Sequence, residues 1–525
     1  MKLRIADTLT IITEKAQRTF ASDDCRADDV RARQTPGKDG LRITLCADET
    51  PVKYLRLRWR FTPEEKRAGP LRVFGDEWER GYGAMEWRGI VAERNMPWVC
   101  AVSNGSDAVA ETAGRFTECF GVAVRPAGLC MWRYDACGVT LAIDVRNGGS
   151  GVILGGREVE VCEARFGEYR NVTAFAALRD FYKTLCADPI FPKKPVYGSN
   201  NWYYAYGNSS HEQILSDASF LAARCAGLEN RPYMVVDDGW QPNRCDGPWH
   251  RGNGRFPDMK GLADAIKEKD VIPGIWIRYL NDEARQTPDV TDDMRLERDP
   301  AFLDPTHPAV RELIARDTRR LTEEWGYRLI KHDFSTCDLF GRWGFEARGF
   351  LTDDGWRFYD RSRTSAEIVT DLYRAIRENA GDAVVLGCNV IGHLTAGLAE
   401  MNRTGDDTSG REWERTRKMG VNTLAFRMLH HGAFYDADAD CVGVTGLIPW
   451  ERNREWLRAL AVSGTPLFVS CDPKAADDEI RADITTAFAR SAAQDDELVP
   501  LDWMDNTCPE RWLLNGEEIR FRWIE

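Results

Sequence analysis

Two short apolar runs that end abruptly in carboxylates constrain this chain most: Tyr233-Met-Val-Val-Asp-Asp-Gly-Trp240 and Tyr327-Arg-Leu-Ile-Lys-His-Asp-Phe334. Strands buried on both faces read as near-continuous apolar segments, with polar residues where the strand leaves the sheet. Parallel strands of this kind close into (β/α)8 barrels, whose active sites gather at the carboxyl ends of the strands. Carboxylates at that edge, with tryptophan close by and no metal-ligand cluster, point to an enzyme acting on sugar.

The rest of the chain fits such a barrel with additions at both ends. At 525 residues it is too long for one ordinary domain. From Val196 onward, strand, loop and helix alternate. Eight strands are predicted, over Val196–Asn200, Tyr233–Val236, Ile272–Ile277, Arg328–Lys331, Ala383–Gly387, Ala399–Asn402, Thr423–Met428 and Pro466–Val469. Helical stretches separate most of them, among them His211–Ala226, Pro308–Trp325, Ser365–Asn379 and Arg411–Met419. Before this region the texture differs. Leu41-Arg-Ile-Thr-Leu-Cys46 and Val139-Thr-Leu-Ala-Ile-Asp-Val145 alternate with period two between turn signals such as Asn147-Gly-Gly149. That pattern reads as an antiparallel β-sandwich. The expected fold class is therefore multi-domain β and α/β. It comprises an amino-terminal antiparallel β-sandwich over 1–185 that ends in a helix, a (β/α)8 barrel over 186–484 and a small carboxy-terminal β domain over 485–525.

Net charge is −13, which argues against nucleic acid or an anionic membrane as partner. No apolar run approaches the length of a membrane span, and the start, Met1-Lys-Leu-Arg-Ile, carries no apolar leader core. The 15 cysteines are odd in number and lack CxxC or His/Cys spacing. Six of them (Cys100, Cys119, Cys130, Cys225, Cys388 and Cys471) fall in runs that read as buried strand or helix. Free thiols in a reducing cytoplasm account for this better than a disulfide framework.

Retaining glycoside cleavage needs two carboxyl groups, one to attack and one to protonate the leaving oxygen and then activate water. Asp333, fixed at a strand end, suits the nucleophile. Lys331 leaves the strand on the same face, where its ammonium keeps Asp333 ionised and offers hydrogen bonds to hydroxyls. Asp237 and Asp238 offer adjacent acceptors for two neighbouring hydroxyls; the competing readings are a Mg²⁺ site or a helix cap. Arg403-Thr-Gly-Asp-Asp407 ends the sixth strand, and Asp406 or Asp407 is the candidate acid/base. The acidic run Asp436-Ala-Asp-Ala-Asp440 lacks the glycine and distal glutamate of a calcium loop, and is read as a rim loop touching substrate.

In order across about 196–470, these pieces resemble the clan of retaining α-galactosidases, glycoside hydrolase families 27 and 36, and are closer to family 36 in the β domain ahead of the barrel. Gly198-Ser-Asn-Asn-Trp202 resembles the first-strand segment with its sugar-stacking tryptophan. Val236-Asp-Asp-Gly-Trp240 resembles the paired aspartates that grip O4 and O6 of galactose. Arg255-Phe-Pro-Asp-Met-Lys260 and Gly274-Ile-Trp-Ile277 resemble the approach to the third strand, Ile330-Lys-His-Asp-Phe334 the nucleophile motif, and Thr465-Pro-Leu-Phe-Val469 the eighth strand.

The resemblance implies that Asp333 is the nucleophile and that Trp202, Asp237, Asp238, Trp240, Trp276, Lys331, Cys388 and Arg403 hold the terminal sugar. No cofactor or metal is implied. The family's arginine commonly precedes the acid/base by four residues, which selects Asp407; aligning on the Gly-Asp pair selects Asp406, and Asp407 is favoured. Two departures stand out. His332 replaces an aromatic or apolar residue, and Gly387-Cys-Asn389 replaces a glycine-rich loop, with Cys388 either near O2 or simply buried. The expected substrate is a small carbohydrate carrying terminal α-galactose. Alternatives are an α-N-acetylgalactosaminide, a β-L-arabinopyranoside, transfer of galactose to another sugar, or glycan binding without catalysis. Self-association into a homo-oligomer is open.

Overall fold

A computed structural model describes residues 4–67, 69–347, 349–493 and 495–524, so the first three residues, read above for a leader, lie outside it. The amino-terminal region forms two antiparallel sheets of six and seven strands. Strand Leu41–Cys46 places Leu41, Ile43 and Leu45 inside and Arg42 outside, the alternation expected of a sheet solvated on one face. Aromatic rings fill the space between the sheets. Trp59 lies 5.5 Å from Phe166 and 6.0 Å from Trp132, and Phe120 meets Phe166 edge-on at 5.9 Å. Helix Ala174–Leu185, capped by the Thr173 hydroxyl, buries Phe175, Leu178, Phe181 and Tyr182 and leads into the barrel.

The barrel strands are β1 (Tyr197–Asn200), β2 (Tyr233–Val236), β3 (Ile272–Ile277), β4 (Leu329–His332), β5 (Val384–Gly387), β6 (Met401–Arg403), β7 in two pieces (Asp436–Asp438 and Cys441–Val444) and β8 (Leu467–Cys471). All pair in parallel with their neighbours, and β8 pairs back onto β1. The first piece of β7 bonds to β6 and the second to β8, so the chain itself carries the ring across the break at Ala439–Asp440. Asp440 takes a left-handed φ of 74° there.

The seventh strand corrects the sequence reading in two places. Thr423–Arg427 is a helix, continuing directly from the π-helical turn Thr416–Asn422. Its residues are buried all round, and for such a short apolar run periodicity does not separate helix from strand. The acidic run taken for a rim loop supplies the first piece of β7 instead. Helix Asp478–Ala493 and a three-stranded antiparallel sheet (Leu498–Pro500, Arg511–Leu514, Glu517–Arg520) end the chain. No helix among the described residues is long and apolar enough to cross a membrane. All 15 cysteines are unpaired.

The amino-terminal domain sits against the barrel's carboxyl edge through the segment that follows its strand Arg72–Gly75. Gly81 N–H donates to Thr404 O at 2.7 Å and Asp406 N–H donates to Gly81 O at 2.9 Å, so this segment runs beside the end of β6 like an extra strand. Gly405 itself lies tight against the barrel's own Met419 and Thr423: a Cβ there would lie 2.1 Å from Met419 O and 2.3 Å from Thr423 Oγ1. Behind this contact, the fully buried Asp76 bonds Arg427 Nε at 3.0 Å and His430 Nε2 at 2.6 Å.

Candidate active site

The barrel's register gathers the predicted residues. Trp276 of β3 is paired with Lys331 of β4, and Lys331 with Leu386 of β5. Two residues on, the same rows bring Asp333 alongside Cys388, and Cys388 alongside Arg403. Residues two apart along a strand share a face, so these side chains stack in layers at the carboxyl end.

Asp333 stands one residue past β4, its N–H still bonded to Ile277 O at 3.0 Å. Its Oδ2 accepts from Trp276 Nε1 at 2.9 Å; its Oδ1 accepts from Asn389 Nδ2 at 2.6 Å and from Phe334 N–H at 2.8 Å. Phe334 takes a left-handed φ of 66°, a strained position for a bulky residue, and this turns its N–H onto the carboxylate. Burial alone would raise the Asp333 carboxyl. The charges of Lys331 and Arg80, with the bonds from Trp276 and Asn389, outweigh it and hold the group below the usual carboxylate value. His332 points to the other face, edge-on to Tyr279 and Tyr373, and burial pushes it down to about 4. It serves there as a neutral aromatic, which explains how a histidine fits a position where an apolar ring is expected.

Asp237 and Asp238 follow β2. Asp237 Oδ2 accepts from Lys331 Nζ at 2.8 Å and from Asn200 Nδ2 at 2.6 Å, and Asp238 N–H donates to its Oδ1 at 2.9 Å. Asp238 accepts from Gln241 Nε2 at 2.6 Å and from Cys245 N–H at 2.9 Å. Neither caps a helix.

Trp202 is half-buried at the head of the short helix Trp202–Ala205. Its ring lies 5.1 Å from Tyr206 and beneath the exposed Arg244. Trp240, by contrast, is fully buried. Its indole donates to Trp276 O at 2.9 Å and packs on Trp249 and Trp325. It holds Trp276 in place from behind, which corrects its expected role as a sugar contact.

Arg403 ends β6 buried. Its guanidinium reaches Asp407 Oδ1 at 3.0 Å, Asp440 Oδ2 at 2.7 Å, the Tyr203 hydroxyl at 3.2 Å and Cys388 Sγ at 3.7 Å. Cys388 is buried, and burial raises its thiol well above the ordinary range. The two adjacent aspartates differ. Asp406 is bound on both oxygens, by Arg80 at 2.7 Å and by Arg415 at 2.6 Å. Asp407 is held through Oδ1 and remains about a third exposed. Burial would raise Asp407, but Arg403 and Arg80 dominate and hold it well below the usual carboxylate value.

Four residues of this network escape a sequence reading: Asn200, Arg80, Asn389 and Asp440. Asn389 and Asn200 lie within the quoted motifs, but polar amides at strand ends carry no distinctive signal. Asp440 was hidden by the loop reading of β7. Arg80 comes from the other domain.

No family model matches the chain. Solved structures do match it. The α-galactosidase of Thermus thermophilus, in complex with p-nitrophenyl α-D-galactopyranoside, is 18% identical with a TM-score of 0.61, over 95% of this chain and 99% of that one. A family 36 α-galactosidase from Geobacillus stearothermophilus is 14% identical with a TM-score of 0.60, over 96% of this chain and 71% of that one. The galactosidase domain of an α-galactosidase–sucrose kinase is 15% identical with a TM-score of 0.59, over 96% and 77%. This chain shares their fold. The likeness spans sandwich and barrel together, so the architecture expected from sequence is the architecture present.

Proposed function

We propose that the protein is a retaining exo-glycoside hydrolase that removes terminal α-linked galactose by double displacement. The observation that carries this reading is the state of Asp333: buried, pinned on both oxygens by Trp276 and Asn389, and held ionised by neighbouring cations. Such a carboxylate at the carboxyl end of a barrel strand, where barrel active sites gather, is placed to attack an electrophilic carbon. Asp333 attacks the anomeric carbon and Asp407, acting in the minor protonated form that its neighbouring cations leave it, passes that proton to the departing oxygen. The resulting β-galactosyl ester removes the negative charge of Asp333. Lys331, Arg80 and Arg403 then favour the ionised form of Asp407, the form that draws a proton from the incoming water. Water attack releases α-galactose. Asp237, Asp238 and Lys331 present the charged acceptors and donor for sugar hydroxyls, with Trp202 as a stacking face.

The structural neighbours support the sugar: the Thermus thermophilus enzyme has been solved with p-nitrophenyl α-D-galactopyranoside and with stachyose. The 15 unpaired cysteines fit a reducing compartment, and we place the enzyme in the cytoplasm.

A panel of p-nitrophenyl glycosides, assayed with wild type beside Asp333→Ala, tests the reading. Release from the α-galactoside that vanishes in the variant supports reaction and nucleophile together. Release from another glycoside alone keeps the mechanism and replaces the sugar. Release that persists in Asp333→Ala rules out this site.

A further inference from the structure

The amino-terminal domain contributes one charged side chain to the centre of the site. Arg80 is buried, 6% exposed, and its guanidinium spans three barrel groups: Asp406 Oδ1 at 2.7 Å, Asp407 Oδ1 at 3.4 Å and Cys388 Sγ at 3.9 Å. Its Nε has no partner. The backbone beside it is fixed by the paired Gly81–Thr404 and Gly81–Asp406 bonds, so the guanidinium cannot drift from the end of β6. Tyr82, whose ring lies 5.6 Å from it, and Glu79, which accepts from the Tyr82 hydroxyl at 2.8 Å, brace the same segment.

We infer that Arg80 is a positioning residue that assigns the two adjacent aspartates their separate tasks: it ties Asp406 into the domain contact and fixes the Asp407 carboxyl beside the leaving oxygen. This rests on the glycosidase reading above. Asp406 is bonded on both oxygens, by Arg80 and Arg415, and its side chain is 16% exposed against 33% for Asp407. Asp407 shares one oxygen between Arg80 and Arg403 and keeps the other free.

Arg80 is also a cation that disfavours the protonated acid. The other groups facing Asp407 are Arg403 of its own strand, Lys331 of β4, Arg415 of the following helix, and Tyr203 and Tyr206 after β1; Asp440 acts on it through Arg403. All of these remain when Arg80 alone is changed.

The test is the pH profile of kcat/KM on methyl α-D-galactopyranoside, whose alkoxide leaving group needs the proton, for wild type, Arg80→Gln and Arg80→Lys. Loss of one close cation raises a carboxyl, so the alkaline limb of Arg80→Gln should move up by about one pH unit, with kcat/KM at the wild-type optimum reduced about tenfold or more. Arg80→Lys keeps the charge without the fork, so its limb should stay near wild type while kcat remains reduced. Thermal unfolding of each variant establishes that it is folded. A reduced rate with an unmoved limb in Arg80→Gln would make Arg80 a purely structural link between domains and overturn the inference. So would an unchanged rate and limb. In both cases wild-type turnover of the galactoside leaves the glycosidase reading standing. A wild type inert on every α-galactoside refutes that reading and this inference with it.

Discussion

At the scale of single residues, the site separates groups whose chemistry is exposed to substrate from groups that hold them. Trp276 belongs to the second kind. Trp276→Phe keeps an aromatic side chain, smaller than the indole, and removes the 2.9 Å bond to Asp333. A hydrogen bond to a charged group is worth roughly 1.5–3 kcal/mol, so kcat should fall about ten- to a hundredfold with the fold intact. The aspartate pair gives a sharper contrast. Asp407→Ala should lose activity that added azide restores as α-galactosyl azide, because a small anion needs no general base in the second step. Asp406→Ala should lose activity that azide does not restore. Rescue of Asp406→Ala instead would reverse the assignment. Since Arg403 and Arg80 hold Asp407 below the ordinary carboxylate value, its protonated form fades early as pH rises. The alkaline limb of kcat/KM should therefore lie on the acid side of neutrality in a simple steady-state profile.

Elements show why some of this was legible in the sequence and some was not. Asp237, Lys331 and Asp333 stood out because a buried strand tolerates charge only at its end, and β2 and β4 are short and apolar. β7 was missed for the opposite reason. Its first piece carries aspartates at every second position, and Asp438 faces the cations Arg403 and Lys331 inside the barrel, where burial lifts it to about 6. A strand with charges turned inward looks like a solvated loop until its partners are known. The resemblance implies a sugar contact for Trp240, but one residue past Gly239 (φ 108°) the chain has turned its ring into the core. Just past β6, Gly405 lies directly against Met419 and Thr423 of the barrel. Gly405→Ala would drive a methyl against Met419 O and Thr423 Oγ1. Overpacking of this kind costs about 1–3 kcal/mol. Urea titration should show that loss, and activity should fall further than stability because Asp406 and Asp407 follow directly.

Over the whole molecule, the contact between domains stores buried charge that was invisible in sequence, since each partner lies hundreds of residues from the other. Glu79 is an example. It is fully buried, accepts from Tyr82 and from Gly344 N–H, and burial pushes it up to about 7 despite Arg80. In the unfolded chain it titrates near 4.5. Between those values the folded state binds the extra proton, so its contribution to stability declines as pH rises from about 4.5 to about 7. Glu79→Gln removes the titration and keeps an acceptor. Its melting temperature should gain on wild type across that interval, with a difference approaching about 3 kcal/mol at the upper end. Parallel curves for the two proteins between pH 5 and 8 would show that Glu79 does not titrate there.

The placement of Arg80 also bears on how the chain is made. Asp407 follows it by 327 residues, and Arg427 follows Asp76 by 351. A ribosome adding roughly ten residues per second needs on the order of half a minute to cover that gap. Once the strand ending at Arg170 has emerged the sandwich is complete in its sheets, yet Asp76 and Arg80 still lack their barrel partners Arg427, Asp406 and Asp407. The segment Asp76–Tyr82 must stay open and hydrated until β6 emerges. The nascent sandwich is thus a finished scaffold with one unfinished edge, and the event that seals the edge also assembles the site.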